Sequence, residues 1–88
     1  MILNLTGKEI FEFQYILPAQ GSLKTLELVQ KILDKVNIQD IENDKDIDFT
    51  KEEIDFVSQM IQLLDENQSL KITSLSLIKK ILKESNNG

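Results

Sequence analysis

One helix-start signature occurs twice in this chain, and it limits the possible folds more than any other feature. Leu5-Thr6-Gly7-Lys8-Glu9-Ile10 returns as Phe49-Thr50-Lys51-Glu52-Glu53-Ile54. Each copy places a threonine where a helix needs an N-cap and a glutamate three residues later. A large apolar residue before the threonine can staple onto the isoleucine one turn inside. Two further strings follow in the same order. Ser22-Leu23-Lys24 returns as Ser69-Leu70-Lys71, and Leu26-Glu27-Leu28-Val29-Gln30-Lys31-Ile32-Leu33 as Leu75-Ser76-Leu77-Ile78-Lys79-Lys80-Ile81-Leu82. The offsets are 44, 47 and 49 residues. Amphipathic helices drawn from Leu, Ile, Lys and Glu resemble one another by composition alone, but composition does not make the cap residues match. A pattern recurring at this spacing reads as one supersecondary unit used twice.

The elements follow from caps and apolar spacing. Helix 1 starts at Thr6, buries Ile10, Phe13, Ile16 and Leu17, and stops at Pro18, because the residue before proline avoids the helical region. Pro18-Ala19-Gln20-Gly21 forms the loop. Ser22 caps helix 2, whose stripe is Leu26, Val29, Ile32, Leu33 and Val36, with Asn37 as terminator. Residues 38–49 are acidic and irregular and read as an exposed connection. Helix 3 is capped by Thr50 and buries Ile54, Val57, Met60, Ile61 and Leu64. After a turn over residues 65–68, Thr73 or Ser74 caps helix 4, with the stripe Leu75, Ile78, Ile81 and Leu82. Residues 85–88 form a frayed polar tail. The expected fold is all-α: four helices as two tandem, pseudo-duplicated helical hairpins packed in one small bundle. It forms a single domain over residues 1–88, with one hairpin at 5–37, the connection at 38–49 and a second hairpin at 50–85. Short loops make the helices of each hairpin antiparallel neighbours.

The composition narrows the function. Apolar residues make up 41% of the 88, enough for a small core and little material for an enclosed cavity. The chain contains no His, Cys, Trp or Arg. It therefore lacks the side chain that most readily exchanges protons near neutrality, thiol and zinc chemistry, and the bidentate phosphate clamp. No catalytic, cofactor-binding or metal-binding residue is expected, and the chain reads as non-catalytic. No apolar run reaches membrane-spanning length. With no cysteine, and with neither a basic region nor a long apolar stretch in Met1-Ile2-Leu3-Asn4-Leu5, a cytoplasmic location is expected.

The net charge of −5 is unevenly spread. Residues 1–39 are balanced, residues 40–66 carry a local charge of −8, and residues 67–88 carry +3. A net acidic surface repels phosphates and anionic lipid, so neither nucleic acid nor membrane is an expected partner. The acidic stretch is no calcium loop. Counting from Asp44, position six is Phe49 instead of glycine and position twelve is Asp55 instead of a bidentate glutamate; counting from Asp40, those positions are Lys45 and Lys51. Lys79, Lys80 and Lys83 share one side of helix 4, where lysines near a C-terminus complement the helix dipole.

An apolar surplus is the most suggestive feature. Phe11 and Tyr15 lie four apart and point away from the helix 1 stripe. Phe56 and Leu63 sit at the edge of the helix 3 stripe, as Leu28 and Leu77 do on helices 2 and 4. Such residues either widen the core or form a contact patch, and the sequence leaves both open. Self-association as a homodimer would bury them economically.

The run Leu5-Thr6-Gly7-Lys8-Glu9, with Leu17-Pro18, Gly21-Ser22-Leu23-Lys24-Thr25-Leu26 and Phe49-Thr50-Lys51-Glu52-Glu53, resembles small uncharacterised helical proteins encoded by phages and prophages. The resemblance implies a compact helical accessory protein and carries over no functional residue. The resulting expectation is a protein–protein interaction or assembly module with Phe11, Tyr15, Phe56 and Leu63 as partner-binding residues. The alternative is an acidic inhibitor whose carboxylates from Asp40 to Asp55 imitate nucleic-acid phosphates and occupy a basic site on a host protein.

Overall fold

In a computed structural model, which describes residues 2–36 and 42–87, two short strands and four helices follow in the order β1 (Ile2–Leu5), α1 (Gly7–Ile16), α2 (Leu23–Val36), β2 (Lys45–Asp48), α3 (Lys51–Glu66) and α4 (Leu75–Asn87). A 3-10 turn, Ile72–Ser74, leads directly into α4. The chain forms a mostly helical globule of 30 × 27 × 25 Å.

The strands correct the all-α expectation. β1 and β2 pair antiparallel, with Leu3 opposite Ile47 and Asn4 opposite Asp46. Side chains alternate across the pair as the two-residue period of a strand requires. Leu3, Leu5 and Ile47 face the core, while Ile2, Asn4, Asp46 and Asp48 face outward. Residues 45–48, expected to be irregular connection, are therefore paired backbone. Asn37 and the rest of the connection up to Ile41 lie outside the described residues.

Both helix-start signatures form capping boxes. The Glu9 N–H donates to Thr6 Oγ1 at 3.2 Å, and the Thr6 N–H donates to Glu9 Oε1 at 2.9 Å. The same exchange joins Glu53 to Thr50 Oγ1 at 3.1 Å and Thr50 to Glu53 Oε1 at 2.8 Å. Each box satisfies backbone donors that the first turn leaves without an intrahelical partner. The expected cap on α2 also forms, with the Thr25 N–H donating to Ser22 Oγ at 3.2 Å. α1 ends at Ile16, and Leu17 is already extended (ψ 139°) before Pro18.

The core is built from the expected stripes of α1 and α3 and from the inner faces of the strands. Ile10, Phe13, Ile54 and Val57 are buried against Leu5 and Phe49, and the Phe13 and Phe49 rings stack with centroids 5.9 Å apart. α4 lies against α3 and also meets α1. Its core face keeps the expected Ile78, Ile81 and Leu82 but differs at its start. Leu77 is fully buried, with Ile78 and Ile81, whereas Leu75 is 40% exposed. Just before the helix, the 3-10 turn sends Ser74 inward, where its hydroxyl donates to the buried Glu12 carboxylate at 2.8 Å. That interaction occupies one of the two hydroxyls, Thr73 or Ser74, expected to cap the helix. On α2, Val29, Ile32 and Val36 are buried as expected, but Leu26 is on the surface.

Candidate functional site

Two lysines join elements far apart in the sequence. Lys80 on α4 donates from Nζ to Glu9 Oε1 at 2.7 Å and to the Asn4 carbonyl at 2.8 Å. Lys35 on α2 donates to Glu53 Oε1 at 2.6 Å and to the Asp48 carbonyl at 3.0 Å. Each lysine thus fastens a capping-box glutamate and the strand two residues before the capping threonine. Burial raises the pKa of Glu9. The hydrogen bond from Lys80, the Thr6 N–H, the Ser76 hydroxyl and the lysine charge outweigh that effect, so the carboxyl titrates below its usual 4.5. At Glu53, burial is likewise outweighed by Lys35 and by the Thr50 backbone and hydroxyl, and the net shift is again downward. These carboxylates are fully engaged in holding the fold. Among the described residues, no three carboxylates converge as a metal site would need.

The surface carries the apolar surplus. Phe11 and Tyr15 point outward, 37% and 46% exposed, and meet edge to face with centroids 5.9 Å apart. Lys71 Nζ sits 3.8 Å above the Tyr15 ring, a cation–π contact that brings the chain before α4 alongside α1. The next residue, Ile72, is 81% exposed. It shares an open groove with Leu75, Thr73 and Ser76 on one side and Lys8 of α1 on the other, with Lys79 at the rim. One face therefore combines Phe11, Tyr15, Ile72 and Leu75 with Lys8, Lys71 and Lys79. Isolated exposed apolar residues need no explanation, but a cluster of this kind with a polar rim does.

Of the four residues singled out from the sequence, Phe11 and Tyr15 belong to this face and Phe56 does not. Phe56 is half-buried and lines a second groove with Leu28, Glu52 and Asp55. Leu63 is exposed, seven residues further along the same side of α3. Sequence reasoning missed Ile72, because no helical period covers the link between α3 and α4, and it put Leu75 in the core. The one available signal was the placement of Ile72 between Lys71 and Thr73, an apolar residue with polar neighbours on both sides.

Comparison with protein-family models, curated proteins and solved structures finds no match.

Proposed function

We propose that this chain is a non-catalytic protein–protein interaction module, built by doubling one strand–helix–helix unit, and that it docks through the face formed by Phe11, Tyr15, Ile72 and Leu75. The observation that carries the docking reading is Ile72, 81% exposed beside a lysine-rimmed apolar groove. Leaving that much aliphatic surface in water costs stability that a partner's contact would recover, on the order of 25 cal/mol for each Å² covered. Docking hot spots are commonly built from clustered aromatic and aliphatic side chains with a charged rim, and this face has that composition.

Three observations support the doubling. The two capping boxes are alike bond for bond. The strands pair so that Leu3 meets Ile47, 44 residues apart, and 44 is also the spacing between Thr6 and Thr50. Finally, Lys35 does for Glu53 and the Asp48 carbonyl what Lys80 does for Glu9 and the Asn4 carbonyl. A two-fold axis through the Leu3–Ile47 pair would relate all of these. It makes Lys35 the counterpart of Lys80 at an offset of 45, one helical turn from the offset of 49 at which the apolar strings of α2 and α4 align best. Helical periodicity lets both registers bury the same kinds of residue, and the lysine contacts favour 45.

Parallel affinity capture with the intact protein and with Tyr15→Ser/Ile72→Ser tests the docking reading, once circular dichroism shows that both are folded. A partner held by the intact face and lost from the double variant is the expected outcome. Identical capture by both proteins would overturn it.

A further inference from the structure

The proposed two-fold axis relates two grooves of opposite charge. The first lies between the start of α1 and the start of α4 and carries Lys8 and Lys79. The second lies between the start of α3 and α2 and has Leu28 and Phe56 as its apolar lining. Glu52 and Asp55 line it as well, with Lys51 the one opposing charge, so its balance is negative. Glu52 stands 44 residues from Lys8, at the equivalent position with the sign reversed. Neither Lys8 nor Lys79, and neither Glu52 nor Asp55, belongs to an ion pair among the described residues. The scaffold thus presents two grooves of opposite charge balance, with Lys8 and Glu52 at equivalent positions.

We propose that the basic face docks onto the acidic groove of a second copy of this chain, with Ile72 seated between Leu28 and Phe56. This inference rests on the reading of the Phe11–Tyr15–Ile72–Leu75 face as a docking surface, and it names the occupant. Ile72 is the protruding apolar element on one side, and the floor formed by Leu28 and Phe56 is the recess on the other. Lys8 and Lys79 of one copy then face Glu52 and Asp55 of the next. The two patches are different surfaces, so the contact is head to tail. It leaves a free basic face at one end and a free acidic groove at the other, and association continues beyond two copies instead of closing as a two-fold dimer.

Sedimentation velocity over a concentration series tests this. In about 10 mM salt the average mass should climb with concentration past that of a dimer, and in about 1 M salt it should fall back to that of the monomer as the charges are screened. Lys8→Glu/Lys79→Glu makes both patches acidic, and Glu52→Lys/Asp55→Lys makes both basic. Each variant, checked for intact helicity, should associate about tenfold or more less tightly than the parent, and an equimolar mixture of the two should associate again. A parent that stays monomeric throughout, or association untouched by either reversal, overturns the proposal. If the parent is monomeric while face-dependent capture of a foreign protein persists, the second-copy assignment falls and the docking reading stands. If capture also fails to depend on Tyr15 and Ile72, both fall.

Discussion

Glu9 and Glu53 each have several tasks at once: accepting from a threonine N–H, pairing with a lysine, and closing the first turn of a helix. The outcome of replacing them depends on which task is removed. Thr6→Ala or Thr50→Ala deletes one capping acceptor and should lower stability by about 1 kcal/mol in urea denaturation. Acid should act on both glutamates together. Their folded pKa values lie below the usual 4.5, so the unfolded chain takes up protons first as pH falls. The stability they contribute is therefore fully present above pH 4.5 and is lost as pH drops through the lowered folded values. Urea midpoints should stay level from neutrality to about pH 5 and then decline. In Glu9→Gln/Glu53→Gln the starting value should be lower and the acid slope shallower. An unchanged slope would mean that other carboxylates govern acid unfolding.

The end of α3 shows how an element can form against the preference of one of its residues. Gln68 holds φ at 55°, the left-handed region, so that its N–H reaches the Asp65 carbonyl at 3.0 Å and the Ser69 N–H reaches Leu64 at 2.8 Å. That pair of bonds is a Schellman closure, which glycine fits without a Cβ penalty. Gln68→Gly should stabilise the protein by about 0.5–1 kcal/mol in thermal or urea unfolding. The helix starts were legible in the sequence because a capping box uses side chains at fixed spacing. The α3 terminus was readable only as a polar turn, since no glycine or asparagine marks the left-handed position. The strands stayed hidden for a related reason. Four residues give only two alternations, and Asp46 and Asp48 are residue types that strands usually disfavour. The Ser74–Glu12 bond at the start of α4 spans 62 residues and leaves no local trace in the sequence. The candidate docking face was half legible: the four-residue spacing of Phe11 and Tyr15 puts them together on a helix, but only the tertiary fold brings Ile72 beside them.

At the scale of the whole molecule, the core and the two lysine links make each half depend on the other. Phe13 stacks on Phe49 across the halves, and Phe13→Ala should cost about 3–5 kcal/mol, enough to unfold much of a chain this small. Glu53 is held by Lys35 from the preceding half and Glu9 by Lys80 from the following one. Peptides covering 1–41 and 42–88 should each lack stable helix in circular dichroism, and their mixture should recover it. Strong helicity in either peptide alone would contradict this mutual dependence.

The bond between Lys80 and Glu9 closes a span of 71 residues. A ribosome releases this chain from its amino end, so the first helix emerges long before the lysine that completes its start. Until Lys80 has been made, α1 has its own cap but lacks the outside cation. This fold therefore cannot close fully around the start of α1 until α4 has been made.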